Sequence, residues 1–208
     1  MTRRTDNYTA MRDRMAARFL DFDQDRMVRQ FALAADADFL YLRFAARDHR
    51  IARRTGAVTW SADGFRTEAP ADYNAAMTIY DVLSRAGTDC RLSGETVPLS
   101  QFAAVQGGSL SPGRDLFQAA ADRFDRDPAA LDRACRRMDG VPADRADVAY
   151  ALPLFPFLAF TLRFWRSDED FPARLQFLAD RSLPRFMHYE TAMFAASHLT
   201  DRLTALMQ

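Results

Sequence analysis

Apolar side chains recur at every third or fourth position in several parts of this chain, which is the spacing of one face of an amphipathic helix. This pattern predicts a helix near each end of the chain. The first stripe consists of Tyr8, Met11, Met15, Phe19 and Phe22, and the last consists of Tyr189, Met193, Ala196, Leu199, Leu203 and Leu206. A second short helix is predicted over residues 25–35.

Residues typical of helix starts and ends bound three more predicted helices. Asp72 and Asp127 each precede an apolar stripe, and an Asp side chain there can accept hydrogen bonds from the backbone of the first turn. Pro112 predicts the start of a third helix, because the first turn does not need the N–H that proline lacks. Gly87 and Gly140 predict the ends of two of these helices.

Short runs rich in strand-forming residues predict strands over residues 39–44, 49–54 and 57–60. Asp63 and Gly64 follow the third run and are typical of a tight hairpin turn. We therefore expect a meander of about four antiparallel strands in this part of the chain.

A second strand-forming region covers residues 148–163, where Pro153 and Pro156 predict a bend between two strands. A short helix is predicted over residues 171–179. Strands and helices are partly segregated along the chain, which favours an α+β fold over an alternating α/β fold. We expect residues 1–208 to form a single α+β domain, with an antiparallel sheet of about four to six strands packed against several helices.

The composition predicts a folded protein with balanced charge. Of the 208 residues, 49% are hydrophobic, which is enough for a packed core and excludes intrinsic disorder as an overall description. The 28 basic and 28 acidic residues give a net charge of zero. Balanced charge argues against a dedicated binder of nucleic acid or of anionic membranes, so we expect neither as a partner.

Lysine is absent from the sequence, and this excludes chemistry that needs its amine: Schiff-base catalysis, a covalent pyridoxal phosphate site and a Walker-type phosphate loop. The two cysteines, Cys90 and Cys135, are too few for an iron–sulfur cluster or a four-cysteine zinc site. The three histidines show no spacing typical of metal ligands. We therefore expect no cofactor and no metal.

No segment predicts export or membrane insertion. The N-terminal residues are charged and lack the apolar stretch of a signal peptide. The uncharged, apolar run of residues 148–162 is too short to span a bilayer. We expect a soluble, cytoplasmic protein.

Residues 168–170 are three consecutive carboxylates ahead of a predicted helix. One interpretation is an acidic helix N-terminus, where Asp168 or Glu169 accepts hydrogen bonds from backbone amides near Phe171. The other is a site for acid–base catalysis or for a hard metal ion. The candidate acidic site then consists of Asp168, Glu169, Asp180, His188 and Trp165.

Two histidines belong to the last predicted helix or its start. His188 flanks the apolar stripe and is expected to be a half-buried hydrogen-bonding group or a member of the acidic site. His198 lies nearly opposite the stripe, which predicts a solvent-exposed side chain.

Five arginines crowd the first predicted strands: Arg43, Arg47, Arg50, Arg53 and Arg54. One interpretation is a solvated sheet face. The alternative is a candidate anion-binding site, because guanidinium groups bind carboxylates and phosphates through paired hydrogen bonds. If acids close to them in the sequence pair with these arginines, the cluster is structural. Those acids are Asp36, Asp38, Asp48 and Glu68.

One segment resembles a family signature. Residues 165–172 read Trp-Arg-Ser-Asp-Glu-Asp-Phe-Pro, which is similar to the Trp-x-x-Asp-Glu-Glu-Phe-Pro signature of a prokaryotic family, domain of unknown function 3786. Residues 151–156 resemble the family's paired-proline strand, and residues 138–140 resemble its helix ending in Gly. The resemblance extends over about residues 8–206, and it implies no catalytic residue, substrate or cofactor.

The chain departs from the family pattern at two places. Asp170 replaces the second Glu of the signature. Residues 94–99 read Gly-Glu-Thr-Val-Pro-Leu, where the family tends to carry a Trp after the Gly.

These observations favour a non-enzymatic accessory protein that binds a small anionic ligand or a protein partner, with a homodimer among the candidate assemblies. The arginine cluster and the missing catalytic signatures support this hypothesis. The alternative is an enzyme that uses Asp168 and Glu169 with His188 for acid–base chemistry.

Overall fold

The chain folds into two compact units. The residues that the computed structural model describes are 2–87, 89–105 and 117–208. Unit 1 consists of Met1–Cys90 and Arg185–Ala195, and unit 2 consists of Arg91–Pro184 and Ala196–Gln208. No helix within these described residues is long and apolar enough to cross a membrane.

Unit 1 contains an antiparallel sheet and helices. Its elements in chain order are α1 (Thr2–Phe19), α2 (Gln24–Phe31), β1 (Ala34–Ala35), β2 (Phe39–Phe44), β3 (Arg47–Ala52), β4 (Val58–Ser61), β5 (Ala69–Pro70) and α3 (Tyr73–Arg85). The strands lie side by side in the order β1-β2-β3-β4-β5, so that each pairs with its neighbours in the sequence. This arrangement is the predicted meander, with five strands in place of about four.

Asp side chains begin two helices of unit 1. Asp23 accepts a hydrogen bond from the backbone N–H of Arg26 at 2.8 Å, at the start of α2. Asp72 accepts one from the N–H of Ala75 at 2.9 Å, at the predicted start of α3. Both bonds satisfy N–H groups that have no partner inside the helix. The second helix ends earlier than predicted, because Ala32 takes a left-handed conformation with φ of 50°.

The buried face of the unit 1 sheet carries Leu40, Phe44 and Ile51, each less than 1% exposed. Tyr80 of α3 is also buried, and its hydroxyl donates to the carbonyl of Gly56 at 2.7 Å. Burial raises the pKa of Tyr80 to about 12. The side chain is therefore an uncharged hydrogen-bond donor inside the core of this unit.

Unit 2 contains the second antiparallel sheet. Its elements are β6 (Thr96–Pro98), α4 (Ser100–Val105), α5 (Gln118–Phe124), α6 (Pro128–Arg137), β7 (Val141–Pro142), β8 (Val148–Phe155), β9 (Leu158–Trp165) and β10 (Arg174–Asp180), and α7 (Tyr189–Leu206) contributes residues to both units. The strand order is β6-β10-β9-β8-β7. The predicted cap of α6 is present, since Asp127 accepts a hydrogen bond from the N–H of Ala130 at 2.8 Å.

The α+β class is confirmed, with the strands divided between two five-stranded antiparallel sheets. The predicted bend between two strands is also present, since β8 and β9 pair as a hairpin with a register shift between Pro153 and Phe155. The predicted helix start at Pro112 lies outside the described residues.

Two local predictions are wrong. The helix predicted over residues 171–179 is the strand β10, which pairs with β9 on one side and β6 on the other. Backbone hydrogen bonding along both edges outweighs the local helical pattern. Asp63 and Gly64 do not form a two-residue hairpin turn either, because residues 62–68 form a longer loop between β4 and β5.

Candidate functional site

Unit 2 has a cleft of about 540 Å³ beside the loop that joins β9 to β10. This volume lies within the range of about 300–1,000 Å³ that is usual for small-molecule sites. The signature segment supplies the lining residues Trp165, Arg166, Asp168, Phe171 and Pro172, and Gln118, Asp147, Ala173 and Arg174 complete the lining. The cleft therefore brings together residues from the strand ends, the loop between them and α5.

Asp168 stabilises the β9–β10 loop, to which it belongs, through hydrogen bonds with the backbone of that loop. Its Oδ1 accepts hydrogen bonds from the backbone N–H groups of Asp170 at 2.9 Å and Phe171 at 2.8 Å. In return, the N–H of Asp168 donates to the carbonyl of Phe171 at 3.0 Å. The expectation that Asp168 accepts backbone hydrogen bonds near Phe171 is confirmed, although the amides belong to a turn before a strand and not to a helix.

Two further carboxylates hold the first half of the loop. The backbone N–H of Arg166 donates to Oδ2 of Asp147 at 2.8 Å. The N–H and hydroxyl of Ser167 both donate to Asp125, at 3.1 and 2.5 Å. These bonds from Ser167, together with the charge of Arg166, hold the pKa of Asp125 below its ordinary value. Aspartate side chains thus hold the loop at several points along its length.

Charged and aromatic side chains meet in this cleft. The guanidinium carbon of Arg174 lies 5.6 Å from the ring centroid of Trp165, within reach of a cation–π contact. Phe171 is 70% exposed. Neither Arg166 nor Arg174 forms an ion pair with any acidic group that the structure describes. The cleft therefore offers two guanidinium groups and an exposed ring to a ligand.

Asp180 lies at the end of β10, away from the cleft lining, and is 6% exposed. It accepts hydrogen bonds from the N–H and hydroxyl groups of Ser93 and Ser182 and from the N–H of Gly94, at 2.6–2.9 Å. Burial by itself raises the pKa of Asp180, but these donors outweigh burial and bring the pKa well below its ordinary value. Asp180 is thus an ionised structural group that ties the residues before β6 to the end of β10.

The two helix histidines occupy different environments. His188 belongs to unit 1, is exposed, and donates its backbone N–H to Asp81 at 2.8 Å. His198 belongs to unit 2 and is only 4% exposed, so the prediction of a solvated side chain is wrong. Arg202 on the same helix is also buried, which shows that α7 is covered beyond its apolar stripe. No three His, Cys, Asp or Glu side chains within the described ranges are grouped so that they could hold a metal ion.

The arginine cluster of unit 1 has internal counter-charges. The ion pairs are Arg43–Asp48 at 3.1 Å, Arg50–Glu68 at 2.8 Å, Arg53–Asp25 at 3.1 Å and Arg54–Asp38 at 2.9 Å. Arg47 lies 3.7 Å from the ring centroid of Trp60, and Arg50 lies 3.9 Å from that of Phe39. The hypothesis of an anion site at Arg43–Arg54 thereby loses its main support.

The candidate acidic site and the cleft lining overlap in part. Sequence reasoning named Trp165 and Asp168, which line the cleft, and it missed the contributions of Arg166, Arg174 and Asp147. Arg166 and Arg174 flank the acid run, and two arginines beside an exposed Phe are a signal that a reading of residues 165–174 could have used. The position of Asp147 opposite the loop depends on the pairing of β8 with β9.

The structure is that of an α+β protein with a cleft in one of its two units. The family model of a domain of unknown function (DUF3786) matches residues 23–202, and the chain therefore belongs to that family. This finding confirms the resemblance seen in residues 165–172. Searches of curated proteins and of solved structures each give no match.

Proposed function

We propose that this chain is a non-enzymatic binding protein that holds a small organic ligand in the cleft of unit 2. The observation that carries the proposal is the pair of guanidinium groups, Arg166 and Arg174, beside Trp165 and the exposed ring of Phe171. A few charged groups against aromatic walls are the usual composition of a ligand pocket. A bound ligand would supply the ion pair that neither guanidinium group forms with an acidic group among the described residues.

The bracing of the loop also supports a binding role. Asp125, Asp147 and Asp168 hold the backbone of residues 166–171 through hydrogen bonds. A site that is already held in shape has less conformational entropy to lose when a ligand binds. The three acids therefore contribute to the position of the cleft residues.

The acid–base alternative finds less support in these contacts. Oδ1 of Asp168 already accepts two backbone hydrogen bonds, as expected for a structural turn. Asp180 has five donors and a strongly lowered pKa, so it is a poor proton acceptor near neutral pH.

Native mass spectrometry of the freshly purified chain tests this proposal. We expect a bound small molecule on the wild-type chain and on an Arg54→Gln control, and its loss from the Arg166→Gln/Arg174→Gln double variant. Arg54 is an exposed arginine of unit 1 that is not among the residues lining the cleft, so the same Arg→Gln substitution there is a matched control.

A thermal-shift screen of small organic acids, amines and zwitterions is the complementary measurement. We expect at least one compound to raise the melting temperature of the wild-type chain and of the control more than that of the double variant. The proposal would be wrong if every compound shifted the melting temperature equally in the wild-type chain, the control and the double variant, and if the mass spectra showed the same bound species, or none, on all three.

A further inference from the structure

The charges that line the cleft are balanced. Arg166 and Arg174 contribute two positive charges, and Asp147 and Asp168 contribute two negative charges. A ligand with a single negative charge would gain from the arginines but would be repelled by both carboxylates. An amine with a single positive charge faces the opposite conflict. The lining therefore favours a ligand that carries both signs.

Both carboxylates keep hydrogen-bonding capacity for a ligand. Asp147 accepts through Oδ2 and Asp168 accepts through Oδ1, in each case from backbone N–H groups. The other oxygen of each accepts no hydrogen bond from the described residues. A carboxylate has about four acceptor positions, so each can still bind an ammonium group.

The remaining surface of the cleft suits an apolar body with a ring. Phe171 and Pro172 line it together with Trp165, and Phe171 is 70% exposed. The Trp165 ring is already in contact with the Arg174 guanidinium, which leaves Phe171 as the more accessible ring. A ligand ring against Phe171 would bury apolar area that is otherwise in water.

We infer that the ligand of this cleft is a zwitterion with an aromatic side group, which is the chemical class of free aromatic amino acids and short aromatic peptides. This inference rests on the proposed binding function. The ligand carboxylate pairs with Arg166 and Arg174, its ammonium group pairs with Asp147, and its ring packs against Phe171.

Isothermal titration calorimetry with three matched probes tests the inference. L-phenylalanine carries both charges, phenylpropionate lacks only its ammonium group, and phenethylamine lacks only its carboxylate. We expect L-phenylalanine to bind at least about tenfold more tightly than either analogue, because one additional charge-assisted contact changes affinity by about that factor.

Charge-removing variants assign each half of the ligand to its partner. Arg174→Gln should weaken L-phenylalanine and phenylpropionate but leave phenethylamine unchanged. Asp147→Asn should weaken L-phenylalanine and phenethylamine only, because the Asn carbonyl can still accept the Arg166 N–H. Arg54→Gln should change the binding of none of the three probes.

Tryptophan fluorescence gives a second measurement. In a Trp60→Phe background, Trp165 is the single tryptophan, and its fluorescence should respond to L-phenylalanine.

The contrary outcomes separate this inference from the proposed function. The zwitterion inference would be wrong if phenylpropionate or phenethylamine bound as tightly as L-phenylalanine. If the Arg166 and Arg174 variants still lost ligand in that case, the cleft would remain a ligand site. No heat and no fluorescence change with any of the three probes at millimolar concentration would also overturn the inference. The proposed function has its own test. It would be wrong if the mass spectra and thermal shifts were the same for the wild-type chain and the Arg166→Gln/Arg174→Gln variant.

Discussion

Gly56 is a residue that no larger side chain can replace without displacing the helix beside it. Its φ is +71°, in the left-handed region, and a Cβ atom there would lie 2.1 Å from the backbone oxygen of Ala16 in α1. Gly64 has nearly the same φ, +70°, but no heavy atom lies within 4 Å of its ideal Cβ position. The two glycines therefore separate the cost of close packing from the cost of backbone strain.

We expect Gly56→Ala to lower the free energy of unfolding by about 3 kcal/mol or more, because strain and overpacking add. Gly64→Ala should lower it by about 1 kcal/mol, through strain alone. Urea unfolding of both variants measures the difference. Similar losses in the two would contradict the close approach of Ala16.

Asp180 is a residue whose charge stabilises the folded state. Because its pKa is lowered on folding, the unfolded state binds more protons near the ordinary Asp pKa of about 3.9. The stabilisation is therefore complete above that pH and is lost as the pH falls towards the lower folded-state pKa. Asp180→Asn should cost about 2 kcal/mol at neutral pH, since hydrogen bonds to an ionised group are lost.

The pH dependence gives this prediction its control. Unfolding free energies of the wild-type chain should fall on acidification below about pH 4, and the Asp180→Asn variant should show less of that fall. Equal acid dependence in the two proteins would mean that other carboxylates account for the whole effect.

At the scale of an element, the β9–β10 loop contains two adjacent acids in contrasting roles. Asp168 accepts two backbone hydrogen bonds, whereas Glu169 is exposed and has no hydrogen bond to any residue that the structure describes. Asp168→Ala should therefore lower the unfolding free energy by about 0.5–2 kcal/mol, as for the loss of a capping side chain. Glu169→Ala should leave the thermal melt unchanged within error. If the two variants lowered stability equally, the hydrogen bonds of Asp168 would not account for its effect.

At the scale of the whole molecule, α7 contributes buried residues to each unit. Ala192 and Ala195, which belong to unit 1, are buried, as are Leu199 and Leu203, which belong to unit 2. Loss of this helix would remove core side chains from both units. We therefore propose that residues 1–208 unfold as a single domain.

Single-tryptophan variants test this proposal. Trp60 belongs to unit 1 and Trp165 to unit 2. In Trp165→Phe and Trp60→Phe variants, the fluorescence transition in urea should coincide with the far-ultraviolet circular dichroism transition of the same protein. Fluorescence and circular dichroism midpoints that differ within one variant would show that the two units unfold independently.

The sequence by itself determined those features whose causes are local. The apolar stripes of α3 and α7, the caps Asp72 and Asp127 and the hairpin of β8 and β9 follow from neighbouring residues. Hydrophobic periodicity and capping act over one or two turns of chain, so they can be predicted without the fold. The family signature in residues 165–172 is also local, because it is a pattern of eight consecutive residues.

Only the tertiary structure decided those features whose causes are distant in the sequence. Residues 174–180 became a strand because β6 and β9 pair with both of its edges, and His198 is buried because α7 is covered beyond its apolar stripe. Ion pairs such as Arg50–Glu68 and Arg53–Asp25 removed the main support for an anion site at the arginine cluster. The cleft exists because strand pairing places Asp147 beside the loop that carries Arg166. Such contacts depend on which segments meet in space, and a pattern along one segment does not contain that information.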